Sequence, residues 1–368
     1  MAVTGRLRRA LGVTRVARVT GLDRAGVEVA CAVRPGGHVL QVTNGKGSRW
    51  AEAEAGALLE AAELAGAERV AAADLRWASV DDLRRRGVPH LSVRALGGDA
   101  EDGAPLAWRV ARDARTGTPR LVPAAALHVP PPGGPLLGLT GLRWTSNGMG
   151  AHPSRSHAVL HALLEAVERD AVARALPDGW TAAAMGRRRV APEEGGGATP
   201  ARLVARLRAV ALDAHLFDLT DPRRPALAVR GALLVDAHGP VSLTAGYACR
   251  LDGAAASMAA LLEAAQSRLT DIHGAREDVV HAASDAASIV TRTCRPPPRR
   301  RPGRRARPRR GGGAGARPPA GAAAGVRAVL DALERTGHEA VVADLGWPAL
   351  GIAVVKVLVP GLARSELL

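Results

Sequence analysis

The sequence has few aromatic residues, few cysteines and no long apolar run, and each shortage excludes a class of protein. Aromatics make up only 2% of the 368 residues although 47% are hydrophobic, so the core must be built from Leu, Val and Ala. No apolar run approaches the roughly 18 residues of a membrane span, and the first residues lack the apolar stretch of a signal peptide. We therefore expect a cytoplasmic protein without a membrane segment.

The three cysteines, Cys31, Cys249 and Cys294, are far apart in the chain. Their spacing matches neither a disulfide framework nor a zinc knuckle, so we expect each of them to be a small buried or incidental residue and not a metal ligand. The sequence also lacks the GxxxxGK[ST] pattern of the phosphate-binding P-loop. Any nucleotide site must therefore be built in another way.

The net charge of +15 is concentrated in one segment. Between Arg292 and Arg317 there are eleven arginines and no acid, so the rest of the chain carries only +4. This segment is almost wholly Arg, Pro, Gly and Ala and cannot pack a core, which predicts a disordered linker over 286–325. It lacks interleaved aromatics, so nucleic-acid binding ranks last among the hypotheses. A GC-rich gene read out of frame is an alternative origin for the segment.

The linker divides the chain into a core at 1–285 and a C-terminal helix and strand at 326–368. Strands are predicted at 27–35, 38–45, 69–75, 90–96, 119–129, 226–237, 241–250 and 351–361. Helices are predicted from about Ala51 to Ala67, at 81–87 and from near Ser154. The segments 201–220 and 326–346 are each predicted to begin as a helix and to end as a strand. Hairpins and helical crossovers both occur, so the expected fold class is α/β to α+β, with mixed sheets and packed helices.

One short helix is written three times, as ALLEAAEL at 57–64, ALLEAVERDA at 162–171 and ALLEAAQS at 260–267. Residues three apart share a helix face, so each copy presents a polar pair beside a leucine edge that can be buried. The pairs are Glu60 and Glu63, Glu165 and Glu168, and Glu263 and Gln266. A single copy can arise by chance because Ala, Leu and Glu are strong helix formers, but three copies favour a shared role.

Convergence of the three helices would place their carboxylate and amide groups in one site. Like charges so close together cannot stay ionised without cations. A hard divalent metal ion usually compensates such charges, and Mg²⁺ is typically bound together with the phosphates of a nucleotide. An alternative is a zinc site, because His157 and His161 lie on the same helical stripe as Glu165 and Glu168.

The blocks around these helices resemble the YcaO domain family, in the branch that works with a TfuA-type partner. They extend from Val19 to Leu362 and read VTGLDRAGVEVACAVRP, GKG, LLEAAEL, TSNGMGAHPSRSHAVLHALLEAVERDA, LLEAAQSRLTDIHGAREDV and DLGWPALGIAVVKVLVPGL. The most specific is SNG followed by LHALLEAVERDA, whereas GKG alone is a weak signal.

The resemblance implies an enzyme that binds ATP and Mg²⁺ through glutamates on helices and uses the γ-phosphate to activate a peptide-backbone amide. The amide oxygen would be phosphorylated, a nucleophile would add to the carbonyl carbon, and phosphate would leave. A sulfide donor would give a thioamide, which we expect here together with a TfuA-like partner. A neighbouring Cys, Ser or Thr side chain would give an azoline, with an E1-like partner, as the alternative.

The family motifs, carried over by position, imply two sets of site residues and leave the catalytic residue unidentified. The implied Mg²⁺ ligands are Glu60, Glu63, Glu165, Glu168 and Glu263. The implied nucleotide contacts are Lys46, Ser146, Asn147, Arg169, Gln266 and Arg268. The implied partners are a peptide or protein substrate and a second protein, and a homodimer is compatible with the resemblance.

The chain departs from the family pattern in three places. Gly56 stands where the family usually has Ser, and His157 stands where it commonly has an acid. The proline-rich terminus of azoline-forming members is not found after PGLARSELL. These departures leave a non-catalytic scaffold as a further alternative.

Overall fold

The computed structural model describes residues 2–193, 198–239, 241–276 and 319–363. The arginine-rich segment and Cys294 lie outside these ranges, as does the predicted linker except for its last part, 319–325. Within the described ranges, no helix combines the length and the apolar character needed to cross a bilayer. Cys31 and Cys249 are buried and form no disulfide, as expected.

Helices and strands are mixed along the chain. The helices are α1 (Ala2–Leu11), α2 (Trp50–Glu68), α3 (Val80–Arg85), α4 (Ala124–Leu127), α5 (Arg155–Ala175), α6 (Ala182–Arg188), α7 (Ala198–Ala209), α8 (Gly253–His273) and α9 (Ala322–Glu334). The strands are β1 (Arg15–Arg18), β2 (Glu28–Val33), β3 (Val42–Gly47), β4 (Arg76–Ala78), β5 (Leu106–Asp113), β6 (Pro119–Pro123), β7 (Met149–His152), β8 (Arg189–Val190), β9 (Asp213–Asp218), β10 (Ala228–Val235), β11 (Leu243–Arg250), β12 (Val341–Asp344) and β13 (Ala353–Leu358).

These strands form three sheets. The first has the order β1-β2-β3, the second β11-β10-β9-β8, and the third β4-β5-β12-β13-β7 with β6 added on β5. Paired strands within each sheet run antiparallel. The predicted mixture of sheets and packed helices is confirmed, and the antiparallel pairing places the fold in the α+β class.

The three repeat helices lie on three different sheets. Helix α2 packs on β3 and β2, α8 packs on β11 and β10, and α5 packs on β7 and β13. Each helix also contacts the edge strand of another sheet, because α2 touches β7, α5 touches β11 and α8 touches β3. The contacts close a ring in which each repeat meets the next one.

The first leucine of each repeat anchors its helix in the core. Leu58, Leu163 and Leu261 are all fully buried, which confirms the buried edge that the repeated motif predicts. They belong to three clusters of buried side chains, made mainly of Leu, Val and Ala, that fill the spaces between helices and sheets. The ring therefore rests on the aromatic-poor core that the composition requires.

A strand glycine lies under each repeat helix, at Gly45 in β3, Gly150 in β7 and Gly246 in β11. A Cβ atom on these glycines would lie 2.0, 2.3 and 2.4 Å, respectively, from a carbonyl oxygen of the helix above. Since such distances are far inside van der Waals contact, only glycine lets the helix backbone lie this close to the strand. Thr43 and Thr244, two residues before Gly45 and Gly246, donate their hydroxyls to helix carbonyls at 2.8 and 3.0 Å.

Two strand predictions were wrong and a third was wrong in its second half. The strand predicted at 119–129 ends at Pro123, and the short helix α4 follows it. At 90–96 the apolar alternation is real, since Leu91 and Val93 are buried, but only one bridge to β6 forms and the chain ends in a 3₁₀ turn. At 69–75 the chain forms an exposed 3₁₀ turn, and the strand begins one residue later, as β4. The helix predicted from 326 begins earlier, at Ala322, inside the range assigned to the linker.

Substitution of Gly45 by Ala should destabilise the protein by about 3 kcal/mol or more, because the new Cβ would meet the backbone of α2 and cannot rotate away. Urea unfolding followed by circular dichroism measures this loss. Gly103→Ala is the control, since Gly103 is exposed and a Cβ there meets no atom within 4 Å. Equal unfolding midpoints for the two variants would show that α2 does not rest on Gly45.

Candidate functional site

The first glutamate of each repeat accepts a hydrogen bond from the strand that lies under its own helix. Each donor is a backbone N–H in β3, just before β7, or in β11. The pairs are Asn44 N to Glu60 at 2.9 Å, Gly148 N to Glu165 at 3.2 Å, and Tyr247 N to Glu263 at 3.5 Å. Gly45, Gly150 and Gly246 make these hydrogen bonds possible, because they let each helix pack close to the strand under it.

The second glutamate of a repeat reaches the edge strand of the next sheet in the ring. Glu63 of α2 lies close enough to the backbone of Ala151 in β7 for that backbone to favour the ionised carboxylate, against the larger effect of burial. Glu168 of α5 accepts the N–H of Cys249 in β11 at 2.9 Å. The corresponding residue of α8 is Gln266, which is half-buried on the helix that contacts β3. The polar pairs therefore lie where one repeat contacts the next.

Two of the predicted phosphate-binding cations lie among these carboxylates. Lys46 in β3 places its Nζ 2.9 Å from Glu263 Oε2, which joins the first repeat to the third. Arg169 places Nη2 3.3 Å from Glu165 Oε1 on the same helix. Both cations are partly accessible, with 28% and 23% of their side chains exposed, so a ligand can reach them.

The pKa shifts show that the carboxylates lie within electrostatic reach of one another. Burial, together with the charges of Glu165 and Glu60, raises the pKa of Glu63 well above its usual range. Burial and the charge of Glu263 raise the pKa of Glu168 to about 7. Burial also raises the pKa of Glu165, against the effect of Arg169. The pKa of Glu263 shifts the other way, because Lys46 outweighs the effect of burial and lowers it. We call this group of five glutamates the carboxylate ring.

The carboxylate ring has the chemistry that Mg²⁺ and a polyphosphate require. Its oxygens are hard ligands, and burial together with the neighbouring carboxylates raises the pKa of Glu63 and Glu168, so a divalent cation would favour their ionised forms. In the part of the chain that the structure describes, no three His, Cys, Asp or Glu side chains surround a single metal position. Mg²⁺ is usually held by one or two carboxylates and completed by phosphates and water.

The zinc alternative for α5 has no support in the geometry. His157 and Glu168 are eleven residues apart, which is about 16 Å along a helix. His157 is exposed and stacks on His152 at a ring-centroid distance of 4.5 Å, at the start of the helix. Glu168 is instead bound to β11 at the far end of the stripe. A single metal ion cannot reach both ends of the stripe, and among the described residues no three His, Cys, Asp or Glu side chains are grouped closely enough to hold one.

The loop before β7 carries the predicted contacts Ser146 and Asn147. Ser146 is exposed, and its carbonyl oxygen accepts the N–H of Met149 in a tight turn. The next residue but one, Gly148, has a positive φ of 78° and donates its N–H to Glu165. The carbonyl oxygen of the Asn147 side chain is buried and has no hydrogen-bond partner among the described residues. The loop therefore lies against the carboxylate ring and offers unused polar groups.

Arg268 is not brought to the carboxylate ring. Its guanidinium is buried and donates to Asp236 at 2.8 Å, to Asp23 at 3.1 Å and to the carbonyl oxygen of Val241 at 2.6 Å. Five helix residues separate it from Glu263, a rotation of about 140°, so it faces away from that side chain. Arg268 ties α8 to the second sheet and to the turn after β1.

A buried ion pair that the sequence pattern does not predict lies next to the ring. Asp170, two residues after Glu168, is fully buried and pairs with the buried Arg224 at 2.8 Å. It also accepts the backbone N–H of Ala363 at 2.8 Å, which fixes the C-terminal chain to α5. The signal was the third acid in ALLEAVERDA, which lies off the face shared by Glu165 and Glu168.

The departures at Gly56 and His157 have structural counterparts. A Cβ on Gly56 would lie 3.3 Å from the Cα of Gly45, so a serine here would crowd the crossing of α2 and β3. His157 lies exposed near the start of α5, about two turns before Glu165. Neither position removes a member of the carboxylate ring.

Comparison with known proteins identifies the family. The family model described as YcaO cyclodehydratase, ATP- and Mg²⁺-binding, matches residues 44–363. A protein of Rhizobium leguminosarum bv. trifolii, encoded in the tfuA 3′ region and itself uncharacterized, is 32% identical over 96% of this chain and 84% of its own length. The chain belongs to the YcaO family, whose members bind ATP and Mg²⁺.

Solved structures show the same fold. YcaO from Methanopyrus kandleri, bound with AMPPCP and Mg²⁺, superposes with a TM-score of 0.67 at 20% identity, covering 98% of this chain and 89% of that one. A heterocyclase in complex with substrate and cofactor gives a TM-score of 0.70 at 20% identity. The chain spans about half of that heterocyclase, 52% of its length.

The raised pKa of Glu168 predicts a pH-dependent stability without divalent ions or nucleotide. A carboxyl whose pKa in the folded protein is about 7 stabilises the fold fully below its usual pKa and loses that contribution as the pH rises through 7. Glu168→Gln removes this charge but keeps an acceptor for Cys249. At pH 8 we expect this variant to be more stable than the parent chain by about 3 kcal/mol, and near pH 5 the two should be similar.

Urea unfolding of both proteins from pH 5 to pH 8 measures this difference. The exposed Glu101→Gln should follow the parent chain at every pH. A constant difference between Glu168→Gln and the parent chain would contradict a buried carboxylate that is costly to ionise.

Proposed function

We propose that this protein uses ATP and Mg²⁺ to activate a backbone amide of a peptide, and that the product is a thioamide made with a TfuA-like partner protein. The carboxylate ring is the observation that carries the proposal, because it gathers five buried or half-buried carboxylates from three helices, of which only Glu165 and Glu263 lie beside a proposed phosphate-binding cation. The relative encoded in the tfuA 3′ region supports the choice of partner. A reaction that consumes ATP also fits a cytoplasmic location.

In this proposal, the five glutamates of the carboxylate ring hold the Mg²⁺ ions. Bound ATP would supply the phosphoryl group that converts the amide oxygen into a leaving group. The backbone N–H groups of β3, β7 and β11 fix the carboxylate orientations in advance, as outer-shell partners do in metal sites. Positioning and charge neutralisation are the main requirements of phosphoryl transfer, and a rigid ring of this kind meets both.

Lys46 and Arg169 are the proposed phosphate contacts. They neutralise Glu263 and Glu165 in this structure, and both can turn to phosphate oxygens once divalent ions bind those carboxylates. Ser146 and Gln266 are proposed to complete the nucleotide site from the loop before β7 and from α8. For Arg268 we propose a structural role, because its guanidinium is already bound to two aspartates.

Azoline formation is the second candidate for the product. It is favoured by the cyclodehydratase description of the family model and by the fold shared with a heterocyclase. The two candidates use the same activation step and differ in the nucleophile. Glu165 and Glu168 therefore test the shared step, and the product distinguishes the candidates.

The double variant Glu165→Gln, Glu168→Gln should bind ATP with Mg²⁺ at least about a hundredfold more weakly than the parent chain, because two ligands and their charges are lost. Isothermal titration calorimetry with the non-hydrolysable analogue AMPPCP and Mg²⁺ measures the affinity. Glutamine keeps the acceptors for Gly148 and Cys249, so the fold should persist.

The matched control is Glu101→Gln, Glu334→Gln, which removes two exposed carboxylates elsewhere. It should bind the nucleotide as the parent chain does. Absence of binding by the parent chain itself would contradict the proposed function and favour a non-catalytic scaffold.

Mass spectrometry of a modified peptide then separates the products. Replacement of one oxygen by sulfur would support thioamide formation, and loss of one water would support azoline formation. The first result should require both a sulfide donor and the TfuA-like partner.

A further inference from the structure

A cavity of about 440 Å³ lies beside the carboxylate ring, on the loop before β7. Its walls include Arg94, Arg143, Asn147 and Lys356, together with Ala166 of α5 and the chain at 357–363. We call it the basic pocket. Its volume falls within the range of ligand sites in proteins, about 300 to 1,000 Å³.

The basic pocket and the carboxylate ring share two pieces of chain. Ala166 lines the pocket, and the residue before it, Glu165, belongs to the ring. Asn147 also lines the pocket, and the residue after it, Gly148, donates its N–H to Glu165 at 3.2 Å. A molecule in the pocket would therefore lie next to the site proposed for the nucleotide.

The walls of the pocket are held in place by buried contacts. On one side, Asp170 accepts the N–H of Ala363 at 2.8 Å and is itself fixed by Arg224. On the other side, Lys356 donates to the carbonyl oxygen of Thr145 and its Nζ lies 4.6 Å from the centre of the Trp144 ring. A rigid pocket loses little entropy when a ligand binds, which favours specific recognition.

The charge of the pocket selects an anionic ligand. Arg94, Arg143 and Lys356 contribute three positive charges, and none of the described lining residues is an Asp or a Glu. Arg94 and Arg143 are exposed and can turn toward a ligand. The buried carbonyl oxygen of Asn147, without a partner among the described residues, is an acceptor for a backbone N–H.

We propose that the basic pocket binds the acceptor peptide beside the amide that is activated, and that it selects a segment with acidic side chains. This inference rests on the proposed function, since it assumes that a peptide amide is the acceptor. Arg94 and Arg143 pair with the acidic side chains, and Asn147 accepts a backbone N–H of the peptide. Ser146 then remains the loop residue that serves the nucleotide.

The test measures binding of three fluorescein-labelled peptides in which glycine alternates with Glu, with Gln or with Lys. Fluorescence anisotropy is recorded with the full-length chain, AMPPCP and Mg²⁺ at physiological ionic strength. We expect the Glu peptide to bind more tightly than the Gln peptide. Arg94→Gln, Arg143→Gln should weaken Glu-peptide binding about tenfold, because two contacts to charge are lost.

Charge reversal gives a second result that misfolding cannot imitate. Arg94→Glu, Arg143→Glu should lose the Glu peptide and bind the Lys peptide more tightly than the parent chain does. The matched control is Arg187→Gln, Arg202→Gln, two exposed arginines on α6 and α7. It removes the same charge and should leave the affinity for the Glu peptide unchanged.

Three outcomes would overturn the proposal. The first two are equal weakening by the control pair and no preference for the Glu peptide over the Gln peptide. The third is tighter binding of the Glu peptide when AMPPCP and Mg²⁺ are left out, which would assign the pocket to the nucleotide. Calorimetry of AMPPCP binding to the same variants keeps the two proposals apart. If the nucleotide binds but the affinity for the Glu peptide does not change when Arg94 and Arg143 are replaced, only the pocket proposal fails.

Discussion

The close crossing of each repeat helix over a strand glycine is the constraint on which the rest of the structure depends. Gly45, Gly150 and Gly246 let α2, α5 and α8 descend until helix and strand backbones touch. At this depth a glutamate on the helix reaches a strand N–H with its carboxylate. Because each helix also touches the edge strand of the next sheet, three such crossings are enough to close the ring of carboxylates.

The carboxylate ring lowers the stability of the fold when it is ionised, and ion pairs next to it hold its helices in place. Burial raises the pKa of several of its members, so ionising them at neutral pH reduces stability. Two groups of buried ion pairs flank it: Asp170 with Arg224 behind α5, and Arg268 with Asp23 and Asp236 behind α8. The charges of these pairs are compensated within the protein, whereas Lys46 and Arg169 compensate only part of the ring. This contrast is typical of a site whose counter-ions arrive with a ligand.

Local patterns in the sequence predict the local parts of this arrangement. The i, i+3 spacing gives the polar pairs of α2, α5 and α8, and the repeated leucines give their buried edges. The same periodicity argues against Arg268 as a nucleotide contact, since it lies about 140° around the helix from Glu263. Local patterns do not predict which repeat helix lies next to which in the ring. The contact of Lys46 with Glu263 crosses 217 residues and depends on how three sheets are placed. Alternation likewise predicts the buried side chains at 90–96 but not that the backbone there turns instead of pairing.

A crystal structure of the chain with AMPPCP and Mg²⁺ tests the central claim most directly. The account predicts metal ions bound to oxygens of the carboxylate ring, Glu60, Glu63, Glu165, Glu168 and Glu263, with the phosphates beside Lys46 and Arg169. Nucleotide bound elsewhere on the chain, with Lys46 still paired to Glu263, would contradict it.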